Sequence, residues 1–463
     1  MQRSVVLNIV GLTDRHLGDK MPNLSLFCQE RSKFNVKPAF PAVTCTAQAT
    51  YLTGSSVNEH GIVANGWYSR ELAEHQFWKQ SNHLVSGKKI WDVLKEENPN
   101  FTCAKVFWWY NMYSTADYSI TPRPIYPSDG SKVFDVYTSP MGMREEIKSD
   151  LGFFPFHSFW GPNSGIESSQ WIANSAKWIE KKHAPSLSLV YLPHLDYCLQ
   201  KEGPDSLKVN KELVEIDKVF KELYQFYFER GVDVTVLSEY GITSVNRPIH
   251  LNRVFREKGW IQIKNEMGLE MIDLGASKVF AIADHQIAHI YVNDVSLMDS
   301  VNEVLASVEG VESVIMPDEI EELSLNHERS GDIIAVSDEK SWFTYYFWKD
   351  DLLAPDYARC VDIHRKPGYD PVELFFDPKI RFKYIKIASK LLKKKLGFRY
   401  LMDVIPLNAS LIKGSHGRIP SKVEDWPLLI GNFEKLEDEH SLIEAKDVFS
   451  MLLASLRKNN KFS

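Results

Sequence analysis

Residues 187–196 read LSLVYLPHLD, an apolar run over Leu187–Leu192 that is followed by His194 and Asp196. A short continuous run of aliphatic and aromatic side chains is typical of a strand that is buried on both faces of a sheet. Apolar residues recur at helical spacing in Gln170–Lys181 and Leu207–Arg230, which indicates helices between the strands. This alternation predicts an α/β fold with a mostly parallel sheet. The other strand-like runs are Ser4–Val10, Ala104–Trp109 and Asp233–Leu237.

Polar side chains stand at or near the carboxyl ends of three of these predicted strands. His194 and Asp196 follow one strand, Glu239 and Tyr240 follow another, and Asn8 lies inside the first. In open α/β sheets, ligands bind at the carboxyl ends of the strands. We therefore expect the functional site at this edge of the sheet.

The composition excludes several classes of protein. A chain of 463 residues is long enough for one large domain, or for a core domain with an inserted cap. The net charge of −7 predicts no nucleic-acid-binding face and has the wrong sign for docking on anionic lipid. The five cysteines are scattered and form no CxxC pair, which favours a reducing compartment. No run approaches 18 apolar residues, so we expect a soluble cytoplasmic protein without a transmembrane segment.

Three segments differ from the strand and helix pattern. Residues 110–165 are rich in proline, glycine and aromatic residues, which predicts a long, ordered, lid-like loop. Residues 296–375 include an acidic, Val- and Ile-containing stretch, and we interpret this region as an inserted cap or subdomain. Ile385–Leu396 has the pattern of a basic amphipathic helix. A solvated surface helix is the simpler interpretation of that pattern, and a membrane-binding helix is the alternative.

Two short segments contain residues suited to phosphoryl chemistry. Residues 41–54 read PAVTCTAQATYLTG, which predicts a loop that turns into a short helix with Thr44 as its N-cap. The free amides at such a helix start favour a bound anion, although a simple cap is an equally ordinary role for a threonine. Residues 60–65 read HGIVAN, either a common turn or a loop that presents Asn65 to an oxyanion.

Taken together, Thr44, Gly54 and the HGIxxN segment resemble the nucleophile region of nucleotide pyrophosphatase/phosphodiesterases and phosphonoacetate hydrolases. The resemblance places the chain in the alkaline phosphatase superfamily. It implies a three-layer α/β/α fold with a mostly parallel central sheet and a smaller inserted cap. It also implies that Thr44 is the nucleophile and that Asn65 binds a phosphoryl oxygen. The segments VVLNIVGLT, LPHLDYCLQ and GSHGRIP further resemble bacterial members of the superfamily that are associated with Ebo-type gene clusters.

The family binds two zinc ions through Asp and His side chains, and the resemblance transfers only part of this ligand set. Asp196 and His416 are as the family has them, and Glu239 replaces an Asp. Val10, Gln200 and Tyr240 stand where the family has other ligands. Oxygen-rich ligands suit Mg²⁺, Mn²⁺ or Ca²⁺ better than zinc. The alternatives are a different divalent ion, a single remaining site, or a degenerate centre. The candidate metal ligands are Asp196, His416, Glu239, Gln200, Asn8 and His285.

Other polar residues are candidates for a supporting role. His289 and His194 are further candidate ligands, and a satisfied polar residue near the core is the alternative for each. Arg365 and Lys366 precede a glycine turn, where they either clamp a substrate phosphate or carry surface charge. Tyr240 is expected to contact the substrate.

The sequence therefore predicts a metal-dependent hydrolase of phosphate esters, most similar to phosphodiesterases, with a small-molecule substrate. The alternatives are a catalytically degenerate binding or scaffold protein on the same fold, or a hydrolase of phosphonates or other esters. The sequence leaves the oligomeric state open.

Overall fold

The structure, a computed structural model, describes residues 3–434 and 442–461. A nine-stranded sheet forms its centre, and a smaller four-stranded sheet lies beside it. The strands are β1 (Ser4–Ile9), β2 (Ser32–Lys37), β3 (Gly66–Ser69), β4 (Glu74–Phe77), β5 (Cys103–Val106), β6 (Tyr118–Pro122), β7 (Val136–Ser139), β8 (Leu187–Leu192), β9 (Asp233–Leu237), β10 (Thr243–Ser244), β11 (Arg247–Ile249), β12 (Gln262–Glu266), β13 (Leu269–Asp273), β14 (Val279–Asp284), β15 (Ile287–Val292), β16 (Val311–Ile315), β17 (Ile333–Ser337), β18 (Ser341–Phe343), β19 (Gly414–Ser415), β20 (Leu428–Gly431) and β21 (Leu442–Glu444).

The central sheet has the order β21-β2-β20-β9-β1-β8-β5-β6-β7. Its inner part, from β9 to β6, is parallel, and antiparallel pairs occur toward both edges. All six residues of β1 are buried because the strand is paired on both sides and covered on both faces. The predicted α/β fold with a mostly parallel centre is confirmed.

Helices cover both faces of this sheet. Helices α7 and α9 pack against β8 and β9, whereas α4 and α14 lie over the opposite side, near Val6 and Leu189. The result is the expected three-layer α/β/α arrangement. The helices are α1 (Pro22–Gln29), α2 (Thr44–Thr53), α3 (Val57–His60), α4 (Ile90–Glu97), α5 (Met143–Leu151), α6 (Phe156–Phe159), α7 (Ile166–His183), α8 (His194–Glu202), α9 (Val209–Phe228), α10 (Leu251–Glu257), α11 (Met298–Ser307), α12 (Pro317–Glu322), α13 (Lys383–Lys395) and α14 (Asp447–Lys461).

The smaller sheet is antiparallel, with the order β14-β15-β17-β16. It has its own hydrophobic core, to which β14, β15 and the helices α10 and α11 contribute. This unit starts at Val279, before the region 296–375 in which the sequence predicts a cap, and it overlaps only part of that region.

Residues 110–165 are more structured than a loop. They contribute β6 and β7 to one edge of the central sheet, and they also contain α5 and α6. Aromatic residues of this region, among them Phe134, Phe156 and Trp160, line the cavity described below.

The cysteines and the helices can be compared with what the composition predicts. The five cysteines are all free thiols. None of the helices in the described ranges is long and apolar enough to cross a membrane.

Candidate active site

Thr44 lies at the start of α2, beneath the carboxyl edge of the central sheet. It is the first helical residue, whereas Val43 takes the N-cap position that the sequence assigns to Thr44. The helix ends at Gly54, whose φ of 66° is the left-handed conformation that favours glycine. The Thr44 side chain is buried, and its Oγ1 lies 3.0 Å from the hydroxyl of Tyr240.

Tyr240 connects Thr44 to Asp196. Its hydroxyl donates to Asp196 Oδ1 at 3.1 Å, and the side-chain amide of Gln200 donates to Asp196 Oδ2 at 2.7 Å. Asp196 and Gln200 lie one turn apart on α8, which follows β8, while Tyr240 follows β9. Residues that follow β8 and β9, the two strands on either side of β1, therefore form one hydrogen-bonded chain with Thr44.

Glu239 forms a second buried cluster at the same edge. Its Oε1 accepts from the amides of Asn8 at 2.5 Å and Gln48 at 2.6 Å. Within the described residues, Glu239 Oε2 and Asn8 Oδ1 have no hydrogen-bond partner, although both are buried. Buried polar atoms of this kind are costly unless water or a ligand satisfies them.

Aromatic and imidazole rings stack directly on one another above these carboxylates. The His416 ring lies 3.6 Å from Tyr240, at an interplanar angle of 8°, and 3.6 Å from the His285 ring. Tyr369 stacks on the other side of His285 at 3.7 Å. His285 occupies the turn between β14 and β15 with a φ of 62°, a conformation that only a few residues other than glycine adopt. Such backbone strain is often found at functional sites.

Asn65 lies behind Thr44 rather than stacked in this group. Its Oδ1 accepts from the amide of Cys45 at 3.0 Å, and its backbone and side-chain N–H groups donate to Asp284 at 2.8 and 3.1 Å. Asn65 thus ties the start of α2 to the end of β14. Its role as an oxyanion donor stays a prediction.

Burial shifts the ionisation of the carboxyl groups. Desolvation raises the pKa of Asp196 to about 7, against the opposing effect of its hydrogen bonds from Tyr240 and Gln200. Desolvation likewise raises the pKa of Glu239 to about 8, in spite of the bonds from Gln48 and Asn8. The pKa of His416 is lowered to about 3 by burial, so this imidazole is neutral at physiological pH.

The arrangement does not fit a centre with two metal ions. The Tyr240 hydroxyl bonds directly to Thr44 and Asp196, two residues that the family uses as ligands. His416 Nδ1 lies 2.8 Å from the carbonyl of Ala42, and its Nε2 lies 3.9 Å from Asp196 Oδ1. Asp196 and His416, the two expected ligands that are as the family has them, are therefore close to each other.

One other group has metal-ligand spacing among residues 3–434 and 442–461. His194, Glu212 and Glu215 have ligand atoms that all lie within 4.8 Å of one another. His194 Nε2 lies 2.9 Å from the Glu212 carboxylate. The three side chains do not line the cavity next to Thr44.

A cavity of about 530 Å³ opens above Thr44, with Asp196, Tyr240, His285 and His416 at its polar end. Its exposed Arg123 and half-buried Lys132 supply positive charge. Mostly apolar walls with a few polar groups are typical of small-molecule sites. The walls are formed by Trp78, Trp109, Phe134, Phe156, Phe159, Trp160, Tyr197, Ile363, Phe376, Ile387, Leu391 and Met402.

Besides His194, three candidate residues lie elsewhere. Arg365 is exposed and pairs with Asp356 at 3.0 Å. Lys366 is buried and lies 2.7 Å from Asp370. Neither lines the cavity, so the structure does not bring them to the expected phosphate. His289 lies within β15, where its ring contacts the carbonyl of Val63 and the amide of Gly331.

The sequence does not identify two residues of the site, Gln48 and Tyr369. Gln48 lies four residues after Thr44, so both are on the same face of α2, and this spacing is the only available hint. Tyr369, which lines the cavity, donates to Gln200 Oε1 at 3.0 Å. Nothing in the sequence around Tyr369 indicates this contact, because the two residues are 169 positions apart.

The sequence of residues 4–370 matches the family model of type I phosphodiesterases and nucleotide pyrophosphatases. The chain belongs to this family. Members of the family hydrolyse phosphodiester and pyrophosphate bonds, and the family is part of the alkaline phosphatase superfamily. The resemblance inferred from Thr44 and HGIxxN is therefore confirmed.

Individual proteins with names from this family or superfamily are also similar to this chain. A pyrophosphatase/phosphodiesterase of Schizosaccharomyces pombe is 29% identical over 231 residues, which are 47% of this chain but only 40% of that protein. Murine ectonucleotide pyrophosphatase/phosphodiesterase 5, as an inactive form in complex with AMP, has a TM-score of 0.59 at 15% identity, covering 99% of this chain and 95% of its own. Phosphonoacetate hydrolase from Sinorhizobium meliloti, in complex with phosphonoformate, has a TM-score of 0.62 at 12% identity, with 98% and 96% covered. Likeness at such low identity establishes the fold alone.

Proposed function

We propose that this protein is a phosphodiesterase in which Thr44 attacks phosphorus and Asp196 receives the Thr44 proton through Tyr240. The observation that supports this most is the continuous hydrogen-bonded chain from Thr44 Oγ1 to the Tyr240 hydroxyl, at 3.0 Å, and on to Asp196, at 3.1 Å. The Tyr240 hydroxyl donates to Asp196, so its oxygen is free to accept from Thr44. A threonine is a weak nucleophile until such a base removes its proton.

The first step forms a bond between Thr44 oxygen and phosphorus while the bond from phosphorus to the leaving alcohol oxygen breaks. The Thr44 proton moves to the Tyr240 oxygen, and the Tyr240 proton moves to Asp196. The leaving oxygen takes a proton from water. The resulting hydroxide then attacks phosphorus and breaks the bond to Thr44, which regains its proton from Asp196 along the same path. The products are a phosphate monoester and an alcohol.

Charge that develops on the phosphoryl oxygens faces the start of α2. The ten-residue helix has the positive end of its dipole next to Thr44, although its Cys45 amide already donates to Asn65. Arg123 and Lys132 make the cavity attractive to an anionic ester. The apolar walls suit a leaving alcohol that is itself apolar or planar.

The second candidate function is the binding of phosphate esters by a protein that has lost catalysis. The observation that favours it is the direct stacking of His416 on Tyr240 and His285, which fills the centre with rings. A binding protein would take up the same phosphate esters in the same cavity without turning them over.

Two substitutions at Thr44 separate these functions. We expect wild-type protein to hydrolyse bis(p-nitrophenyl) phosphate, Thr44→Ala to lose this activity, and Thr44→Ser to keep part of it. The serine variant is the matched control, because it keeps the hydroxyl and removes only a methyl group. Equal turnover by wild type and Thr44→Ala would contradict the proposed nucleophile. Binding of phosphate esters without turnover by any form would favour the binding protein.

Metal content is measured on the same preparations. The expectation of a divalent ion at Asp196 and His416 stays a prediction, and elemental analysis of the purified protein tests it. A bound ion that Asp196→Asn removes would support that expectation. The expectation of a cytoplasmic location agrees with the five free thiols and is tested by locating the protein in its own cells.

A further inference from the structure

Helix α13 lies on the protein surface, and the side that faces the protein carries two lysines as well as Ile387. The Lys386 and Lys390 ammonium groups each lie 2.9 Å from Asp403. Both lysines are half-buried, as is Ile387 between them. No residue of this helix is buried. The interpretation of α13 as an ordinary solvated helix requires the opposite orientation, with its polar side outward.

The outward side of α13 is apolar. Tyr384, Ile385 and Leu392, with Leu396 just after the helix, form what we call the apolar face of α13, and their exposed fractions range from 57% for Leu392 to 70% for Tyr384. Single exposed apolar residues are common on protein surfaces, but four together on the outward side of one helix and its end form a contiguous patch. Contiguous patches of this kind mark surfaces that bind a partner or a membrane.

Positive charge surrounds this apolar face. Residues 381–402 contain eight basic residues and no acidic residue. Only Lys386 and Lys390 form ion pairs among these eight, as far as the described ranges show. Lys393, Lys394 and Lys395 follow one another at the end of the helix, beside the apolar face. A helix with apolar residues on one side and lysines around them is typical of helices that lie in the plane of a lipid surface.

We propose that the apolar face of α13 docks on an anionic lipid surface. Each lysine near an anionic membrane adds electrostatic attraction to it. The net charge of −7 argues against such docking for the whole chain, but the acidic residues lie outside residues 381–402. Charge also distinguishes lipid from a second copy of this chain, because two copies joined through this face would bring like charges together.

Docking through this face also places the cavity at the lipid surface. Ile387, Leu391 and Lys394 of α13 line the cavity, as do Tyr400 and Met402 just after the helix. A phosphate ester with a hydrocarbon tail would then reach Thr44 from the lipid without crossing water. This consequence for the substrate rests on the proposed function, whereas the docking itself does not.

Sedimentation of the full chain with lipid vesicles tests the docking. We expect the protein to sediment with vesicles that contain phosphatidylserine and phosphatidylcholine, and to remain in solution with phosphatidylcholine alone. Raised salt should weaken the binding, because it screens the lysines. Failure to bind the anionic vesicles, or equal binding to both kinds, would overturn the proposal.

A double variant shows whether the apolar face is responsible. Ile385→Asp with Leu392→Asp should reduce the fraction bound to anionic vesicles by about tenfold or more, since it removes two side chains that enter the lipid. Leu207→Asp is the matched control, because Leu207 is 84% exposed but lies outside α13. Equal binding by the double variant and wild type would overturn the assignment to this face. A dimer in solution that the double variant breaks, without vesicle binding by wild type, would show that a second copy occupies the face instead.

The outcome is independent of catalysis. Ile385 and Leu392 do not line the cavity, so the double variant should hydrolyse soluble bis(p-nitrophenyl) phosphate at the wild-type rate. Vesicle binding without any hydrolysis would refute only the proposed function. Hydrolysis without vesicle binding would refute only the docking.

Discussion

Replacing Tyr240 with phenylalanine removes one hydroxyl group and leaves the ring that stacks on His416. The hydroxyl makes two hydrogen bonds, of 3.0 Å to Thr44 and 3.1 Å to Asp196, and it is the link between them. Without it the hydrogen-bonded link from Thr44 to Asp196 is broken. General base catalysis contributes about 10²–10⁴-fold, so kcat for bis(p-nitrophenyl) phosphate should fall by roughly that factor.

The same change also affects stability, and this effect has to be measured separately. Loss of the hydroxyl leaves buried Asp196 Oδ1 without its donor, which should lower the free energy of unfolding by about 1–3 kcal/mol. Denaturant unfolding measures this term and shows whether the variant is folded under the assay conditions. KM should change less than kcat, because the lost hydroxyl acts on the nucleophile rather than on the bound ester.

Tyr369→Phe is the matched control for this experiment. Tyr369 lines the same cavity and loses one hydroxyl, but that hydroxyl donates to Gln200 and does not contact Thr44. We expect a much smaller decrease in kcat for this variant. A folded Tyr240→Phe enzyme with wild-type kcat, or equal losses in the two variants, would refute the role of Tyr240 in proton transfer.

Three further predictions concern stability. A Cβ at Gly241 would lie 1.8 Å from the carbonyl oxygen of Asp425, so Gly241→Ala should lower the unfolding free energy by about 1–3 kcal/mol or more in denaturant titrations, and wild-type stability would contradict this contact. Lys366→Met leaves the buried carboxylates of Asp370 and Glu373 without their ion-pair partner, so it should lower the free energy of unfolding by about 3–5 kcal/mol. Arg365→Met breaks an exposed ion pair and should lower the free energy of unfolding by less than about 1 kcal/mol. Equal losses in the two variants would contradict the difference in burial between Lys366 and Arg365. Desolvation lowers the pKa of Lys105 to about 7, so the folded state binds its proton less tightly than the unfolded chain. The unfolding free energy should therefore rise by a few kcal/mol (~1.4 per pKa unit) between pH 7 and the ordinary lysine pKa, and Lys105→Met should remove that rise.

The inner strands of the central sheet were the most predictable elements. Strands β8 and β9 have the bounds that their continuous apolar runs predict. The run Ala104–Trp109 predicts a longer β5 than the structure contains, because Phe107 adopts a φ of 65° and leaves the strand after Val106. Hydrophobicity indicates that a segment is buried, but it does not indicate where the backbone turns.

The sequence predicts which residues belong to the site better than it predicts how these residues contact one another. Thr44, Asp196, Glu239 and His416 do lie at one edge of the sheet, as the polar ends of the strands indicate. The bond between Asn8 and Glu239 depends on β1 lying beside β9, and strand order is not encoded in any local pattern. Contacts of this kind join residues more than 200 positions apart, so a single sequence does not reveal them.

Helix α13 illustrates a different limit. Its amphipathic pattern predicts the helix but not which side faces the protein. In the structure Asp403 binds Lys386 and Lys390 from outside the helix, so these two lysines face the protein. Tyr384, Ile385 and Leu392 are directed outward, against the ordinary expectation for a surface helix, whereas Ile387 and Leu391 line the cavity.

The stereochemical course at phosphorus tests the central claim most directly, since the claim is that Thr44 forms a bond to phosphorus. A phosphodiester made chiral with sulfur and hydrolysed in water labelled with oxygen-18 gives a product whose configuration can be assigned. Attack by Thr44 followed by attack of water predicts two inversions and therefore net retention. Net inversion, which a single direct attack by water produces, would contradict the account.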